Sequence, residues 1–241
     1  MRRRTIATSA LFVCAATALT ACSGGGAGAA PSSVKESATA RSTASASPAG
    51  APKAPYADLT GGQIFTDALK ATRQATSLHL NANINDPKGG STKLDLTLDT
   101  KGDCTGTVGE GKDDIGMIKT GKIVYLRPSG QGGKWTKSNT TSADAKDLAS
   151  ICDLKNFIGG FPDEDTEARK GATTKVDGVP AIVLTEKDGA ESYTMDVATS
   201  GKPYLLKMVT VGGDNPGTLT FSRFGEPVHA VAPPKSSIAA G

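Results

Sequence analysis

The sequence predicts an α+β domain, one long antiparallel meander that curves strongly and carries helices across its concave side. Three observations lead there. Many short runs alternate apolar and polar residues with a period of two, the mark of half-buried strands; Gly-, Pro- and Asp-rich turns separate them; and two longer stretches, one before the strands and one between two sets of them, show helical spacing instead. The stretch from Tyr56 to Val231, roughly 175 residues, is a comfortable size for one domain with one core.

Thr60 can cap a first helix whose apolar positions Ile64, Ala68, Leu69, Thr72 and Ala75 share one face, with Asp67, Lys70 and Arg73 elsewhere. The period then changes: Leu78, Leu80, Ala82 and Ile84 alternate with His79, Asn81, Asn83 and Asn85. Asp86-Pro87-Lys88-Gly89-Gly90 is turn chemistry, and beyond it Leu94, Leu96 and Leu98 alternate with polar partners, which predicts an antiparallel hairpin. Further strands are expected at Cys104–Val108, Ile115–Lys119 and Ile123–Arg127. Helical spacing returns from Asp144 to about Ile158, where Leu148, Ile151, Cys152 and Phe157 are apolar, until Gly159-Gly160 and Pro162 stop it. A second set of strands runs through 174–176, 181–185, 192–197, 204–211 and 218–224.

The N-terminus reads as an export signal over residues 1–21, with a basic start at Arg2, Arg3 and Arg4 and an uncharged apolar run from Ile6 to Leu19. At about 14 residues that run is short of the roughly 20 a membrane-spanning helix needs. It ends in Leu19-Thr20-Ala21-Cys22, which resembles the bacterial lipobox, so Cys22 is expected to become the lipid-bearing first residue of the mature chain on the outer face of the cell membrane. An ordinary secretory signal with an incidental cysteine is the alternative. Several acyl chains on one residue exceed what stable anchoring requires. Residues 22–55, almost all Gly, Ala, Ser, Thr and Pro after the cysteine, read as a disordered tether with a reach of about 30 Å. Residues 232–241 form a short C-terminal tail.

Without the three leader arginines the chain carries 24 Lys and Arg against 24 Asp and Glu. A chain so close to neutral lacks the basic field that nucleic-acid binding requires. Cys14 leaves with the leader and Cys22 is acylated, so Cys104 and Cys152 are an even pair outside the reducing cytoplasm, which suggests a disulfide, two buried thiols being the alternative.

Catalytic and cofactor chemistry is not legible. His79 and His229 are far apart in sequence, and no Gly-x-Ser-x-Gly, His-Glu-x-x-His or Cys-x-x-Cys occurs. Gly116 to Lys122 has phosphate-loop spacing, but Ile123 follows where Ser or Thr would hold magnesium, and a strand follows where a helix is needed. The acidic run Asp163-Glu164-Asp165 lacks the spacing of a calcium loop. Trp135, the only tryptophan, suits a core anchor better than a membrane-touching loop. The chain therefore reads as a monomer that is not an enzyme and needs no metal or cofactor.

Several segments of the second half carry a resemblance: Lys175-Val176-Asp177-Gly178-Val179-Pro180-Ala181, Met195-Asp196-Val197-Ala198-Thr199, Gly201-Lys202-Pro203-Tyr204-Leu205, and Thr220 to Val228 followed by Ala232-Pro233-Pro234. They resemble the actinobacterial LppX/LprG-type lipoproteins, relatives of the LolA and LolB lipid carriers, over roughly Leu59 to Ile238. The resemblance implies a LolA-like curved half-barrel with helices across its mouth and an apolar cavity that takes the acyl chains of a lipid or lipoglycan for transfer, without catalytic residues. It singles out Leu78, Leu80, Ile84, Leu94, Leu96 and Leu98 on the first hairpin, and Ile182, Leu184, Tyr193, Met195 and Val197 in the second half, as inward residues that line the cavity or fill a solid core. The alternative function is a solid-cored envelope lipoprotein that binds a protein partner.

Overall fold

The computed structural model describes residues 55–110, 113–128, 133–161 and 167–240. The leader, Cys22, the expected tether up to residue 54 and the acidic run at 162–166 lie outside these residues.

The chain opens with helix α1, Gly61–Arg73, where Thr60 and Gln63 form a reciprocal capping box: the Thr60 side chain accepts from the Gln63 amide at 3.2 Å and Gln63 Oε1 accepts from the Thr60 amide at 2.8 Å. Six strands follow: β1 Ser77–Asn85, β2 Ser91–Asp99, β3 Cys104–Glu110, β4 Asp113–Thr120, β5 Ile123–Pro128 and β6 Thr136–Asn139. Helices α2, Ala143–Ile151, and α3, Leu154–Gly159, lead to β7 Arg169–Val176, β8 Val179–Asp188, β9 Glu191–Ala198, β10 Leu205–Val211 and β11 Gly217–Ser222. The single helix expected from Asp144 to Ile158 is thus two. Asp153 interrupts it because its carboxylate accepts from the Asn156 amide at 3.1 Å, a cap that starts a new helix.

All eleven strands form one antiparallel sheet in the order β6-β5-β4-β3-β2-β1-β11-β10-β9-β8-β7. The fold is α+β, an unclosed curved sheet with helices on one face. It is not the one continuous meander expected. The α2–α3 segment carries the chain from one edge strand, β6, to the other, β7, and the second meander returns to the centre, where β11 pairs with β1 from His79 opposite Ser222 to Ile84 opposite Gly217. Strand β6 was not foreseen, since Thr136-Lys137-Ser138-Asn139 has no apolar alternation.

One apolar cluster fills the inner face, joining α1 through Ile64, Phe65, Ala68 and Leu69 to the inward rows of the strands. Thr72 is the buried polar link: its hydroxyl donates to the Ala68 carbonyl at 2.8 Å and accepts from the Leu205 amide at 3.0 Å. Trp135 corrects the core-anchor expectation. It lies on the outer face, half-buried, within 3.5 Å of where a Cβ on Gly116 would stand, with the Arg127 guanidinium 4.6 Å from its ring centre. The C-terminal tail docks there: the Trp135 amide donates to the Ser237 carbonyl at 2.8 Å and the Ala239 amide to the Trp135 carbonyl at 2.9 Å. Those bonds cover part of what would otherwise be a bare sheet edge.

Candidate functional site

Antiparallel pairing places the turns β2–β3, β4–β5, β7–β8 and β9–β10 at one end of the sheet, and β1–β2, β8–β9 and β10–β11 at the other. Along the inner face these two ends differ. At the first end Leu78, Leu98, Val124, Val197 and Leu205 are wholly buried, and we call it the closed end. Toward the second the same inward rows finish in half-buried apolar residues: Ile84 on β1, Leu126 on β5, Tyr193 on β9 and Met208 on β10, each packed against the core cluster. This end is an apolar mouth.

Helices α2 and α3 contribute to the closure. Cys152, at the C-terminus of α2, is bonded to Cys104, the first residue of β3, with a Cα–Cα distance of 5.6 Å. The Phe157 ring of α3 meets Phe221 of β11 edge-on at 6.4 Å, and Arg73 Nη2 at the end of α1 donates to the Phe161 carbonyl at 2.9 Å. Cys104, Phe221 and Arg73 all belong to the closed end of their elements.

On the outer face of the same end, an open groove of about 420 Å3 runs over the ends of β7, β8 and β9, lined mainly by Arg169, Thr185, Lys187, Ser192 and Thr194, which point away from the core, while Glu186 and Tyr193 lie on the inner side of the same strand ends. The Tyr193 hydroxyl donates to Glu191 Oε2. That bond holds the phenol proton and, with burial and the nearby charges of Glu191, Asp188 and Glu186, pushes its pKa up to about 12. The mouth thus joins apolar side chains to a polar, mainly acidic rim. Farther along β9, burial raises the Asp196 carboxyl above the usual carboxylate range, against the opposing charge of Lys207.

The outer face holds a row that resembles a hydrolytic triad. His79 Nδ1 lies 3.3 Å from Ser222 Oγ, and Nε2 lies 2.8 Å from Asp95 Oδ1. Its setting is that of a cross-strand polar ladder. The three residues sit on adjacent strands β11, β1 and β2, whose backbones are committed to sheet pairing, so the ladder supplies no ready pair of amides to stabilise an oxyanion. Asn81 Nδ2 also reaches Asp95 Oδ2, at 3.4 Å. Among the described residues no group of three or more His, Cys, Asp or Glu could hold a metal ion, and no helix is long and apolar enough to cross a membrane.

No family model matches the chain, and no curated protein matches it either. Solved structures do. LprF from Mycobacterium bovis aligns over 72% of this chain and 96% of its own, with 17% identity and a TM-score of 0.54. The fold is that of LprF. The lipoprotein LppX from Mycobacterium tuberculosis aligns over 70% of this chain and 97% of its own, with 17% identity and a TM-score of 0.47.

On this LprF-like fold all eleven inward candidates belong to, or pack against, the one inner-face cluster. Leu78, Leu80, Leu94, Leu96, Leu98, Ile182, Leu184, Met195 and Val197 are buried, whereas Ile84 and Tyr193 reach the mouth. Leu126 and Met208 complete the mouth and were not singled out from the sequence. Both lie in segments read as strands, so alternation was the available signal, but it needed the facing partners Met117 and Met195 to fix which side was inward.

Proposed function

We propose that this chain is an envelope lipoprotein, anchored through Cys22 outside the cytoplasmic membrane by way of the 22–55 tether, that binds the acyl chains of a lipid at its apolar mouth and shuttles them without catalysis. The observation that carries the reading is the gradient along the inner face, from wholly buried residues at the closed end to half-buried Ile84, Leu126, Tyr193 and Met208 at the mouth. A solid core has no need to leave four large side chains of several strands half in water at one end. An acyl chain laid over them gains about 0.8 kcal/mol per methylene removed from water. The polar groups beside Tyr193, Glu186 and Glu191, suit a head group that stays wet. The buried state of Leu80 and Leu96 favours shallow binding at the mouth, or binding that parts the sheet from its helices, over a preformed deep cavity.

The same buried residues support a second reading, a solid-cored domain whose mouth takes an apolar segment of a protein partner. Intact-mass measurement of the protein extracted gently from its own membranes separates the two. The first reading expects a covalent acyl mass on Cys22 and, in addition, a non-covalent lipid that Met208→Arg removes. A clean acylated protein that retains no lipid, wild type and variant alike, contradicts the carrier reading and favours the second. A mature chain without acyl mass contradicts the anchor.

A further inference from the structure

At the ends of β8 and β9 the alternation that shapes the mouth also sorts charge. Glu186 pairs with Tyr193 and Asp188 with Glu191, and all four fall on the inner side of the sheet; Lys187, paired with Ser192, falls on the outer side. One row farther from the turn, Thr185 stands between Arg169 on β7 and Thr194 on β9, again facing outward. Directly opposed residues on one face have Cβ atoms about 5 Å apart, and successive rows lie about 7 Å apart. Arg169, Thr185, Thr194, Lys187 and Ser192 therefore form one compact patch, and they line the outer groove of about 420 Å3. On the β10 side the patch ends in apolar residues, Val209 opposite Thr194 and Val211 opposite Ser192.

What the patch offers is donors. A guanidinium, an ammonium and three hydroxyls can all donate hydrogen bonds, and the first two are cations. Among the described residues neither Arg169 nor Lys187 has a carboxylate partner. Lys170, the next residue on β7, is by contrast committed to the inner side, where its Nζ donates to the Tyr56 carbonyl at 3.1 Å and the Ala57 carbonyl at 3.3 Å. The nearby carboxylates are engaged: Glu191 Oε2 accepts from the Tyr193 hydroxyl, and Glu186 and Glu167, the latter in the loop before β7, have partners of their own. A ligand that fits such a lining is negative and rich in acceptors. A phosphoryl group sets its oxygens around a tetrahedron, so the guanidinium fork can take two while the ammonium and the hydroxyls take the others.

We infer that the outer groove at Arg169, Thr185, Lys187, Ser192 and Thr194 is a binding site for a phosphoryl group, carried by a lipid head group or by a small phosphate ester. The site lies on the opposite face of the sheet from the apolar mouth. It does not depend on whether the mouth holds acyl chains.

The test follows the backbone amide signals of the full processed protein, held in a maltoside detergent, while inorganic phosphate is added. A saturable shift centred on Thr185, Lys187, Ser192 and Thr194 is expected. Arg169→Gln and Lys187→Gln should each weaken binding by about fivefold, and Lys88→Gln, in the exposed β1–β2 turn outside the groove, should leave it unchanged. No saturable shift, a shift centred elsewhere, binding indifferent to both groove variants, or equal weakening by Lys88→Gln overturns the proposal. Glycerol phosphate and dihexanoyl phosphatidylglycerol then separate the two sources. Tighter binding of the phospholipid, with the excess lost in Met208→Arg, assigns the phosphoryl group to a lipid, and equal binding of the two assigns it to a soluble ester; either result keeps the site. Arg169 and Lys187 are exposed, so thermal melting of their variants should match wild type. A variant that melts early is replaced by Thr185→Val and Thr194→Val, read the same way.

Discussion

The closed end and the mouth are built from the same strands with the same alternation, yet they differ in how far water reaches. On β1 the inward row Leu78, Leu80, Ala82 is buried and Ile84, the next in line, is not; on β9 the row Val197, Met195 is buried and Tyr193 is not. What changes along a strand is the cover. At the closed end, the Cys104–Cys152 bond, the Phe157–Phe221 contact and the Arg73–Phe161 hydrogen bond hold α2 and α3 down. The comparison teaches that the period-two pattern sets which face is apolar, while helix placement sets which part of that face can meet a ligand.

Removing the cover's covalent pin should have the largest effect. Cys104 and Cys152 are separated by 48 positions, so replacing both by serine releases a loop whose closure is worth about 4 kcal/mol in the chain-entropy model. Chemical denaturation should show that loss, with hydrogen exchange rising first in α2 and α3. An unchanged midpoint would mean that the closed end does not depend on the pin.

Next come truncations along one strand. Leu80→Ala should cost about 2 to 5 kcal/mol, since a wholly buried leucine leaves a cavity. Ile84→Ala, at the half-buried end of the same row, should cost clearly less, about 1 kcal/mol. Equal costs measured in urea would erase the distinction between the two ends. Leu96→Trp sharpens it further: with Leu96 buried, the indole should destabilise by roughly 1 to 3 kcal/mol, and near-wild-type stability would reveal room that only a deep cavity provides.

The smallest effect concerns the rim. Folding raises the Tyr193 pKa from the ordinary 10.0 to about 12, so the folded state favours the protonated phenol. Its contribution to stability is complete below pH 10 and disappears as the pH rises through about 12. Ultraviolet titration of tyrosinate should lose its latest-ionising component in Tyr193→Phe, and the variant's stability should fall less steeply over that window. An identical titration curve would remove the Glu191 hydrogen bond from the account.

Much of this architecture was legible from residues alone. Alternation located the inward leucines of β1 and β2, and the Thr60 cap located α1, because both depend on near neighbours in the chain. Pairing of β1 with β11 was not legible: His79 and Ser222 carry no local sign of each other, and either a single meander or two joined at the centre satisfies the same alternation. Strand β6 was not legible because Thr136-Lys137-Ser138-Asn139 has no apolar alternation, and the docked tail because it is held by backbone bonds to Trp135, which do not depend on side-chain type. The mouth was half seen. Ile84 and Tyr193 are inward by alternation, but their half-exposure depends on what packs over them, which no periodicity encodes.

The most direct test of an acyl-binding mouth is to let the ligand report its own position. A phospholipid with a photoactivatable group near the end of an acyl chain, incubated with the protein and irradiated, should attach to peptides containing Ile84, Leu126, Tyr193 or Met208, and excess unlabelled lipid should suppress the attachment. Crosslinks confined to the outer face around Val179, or attachment that unlabelled lipid does not compete away, would contradict the mouth as the site where acyl chains bind.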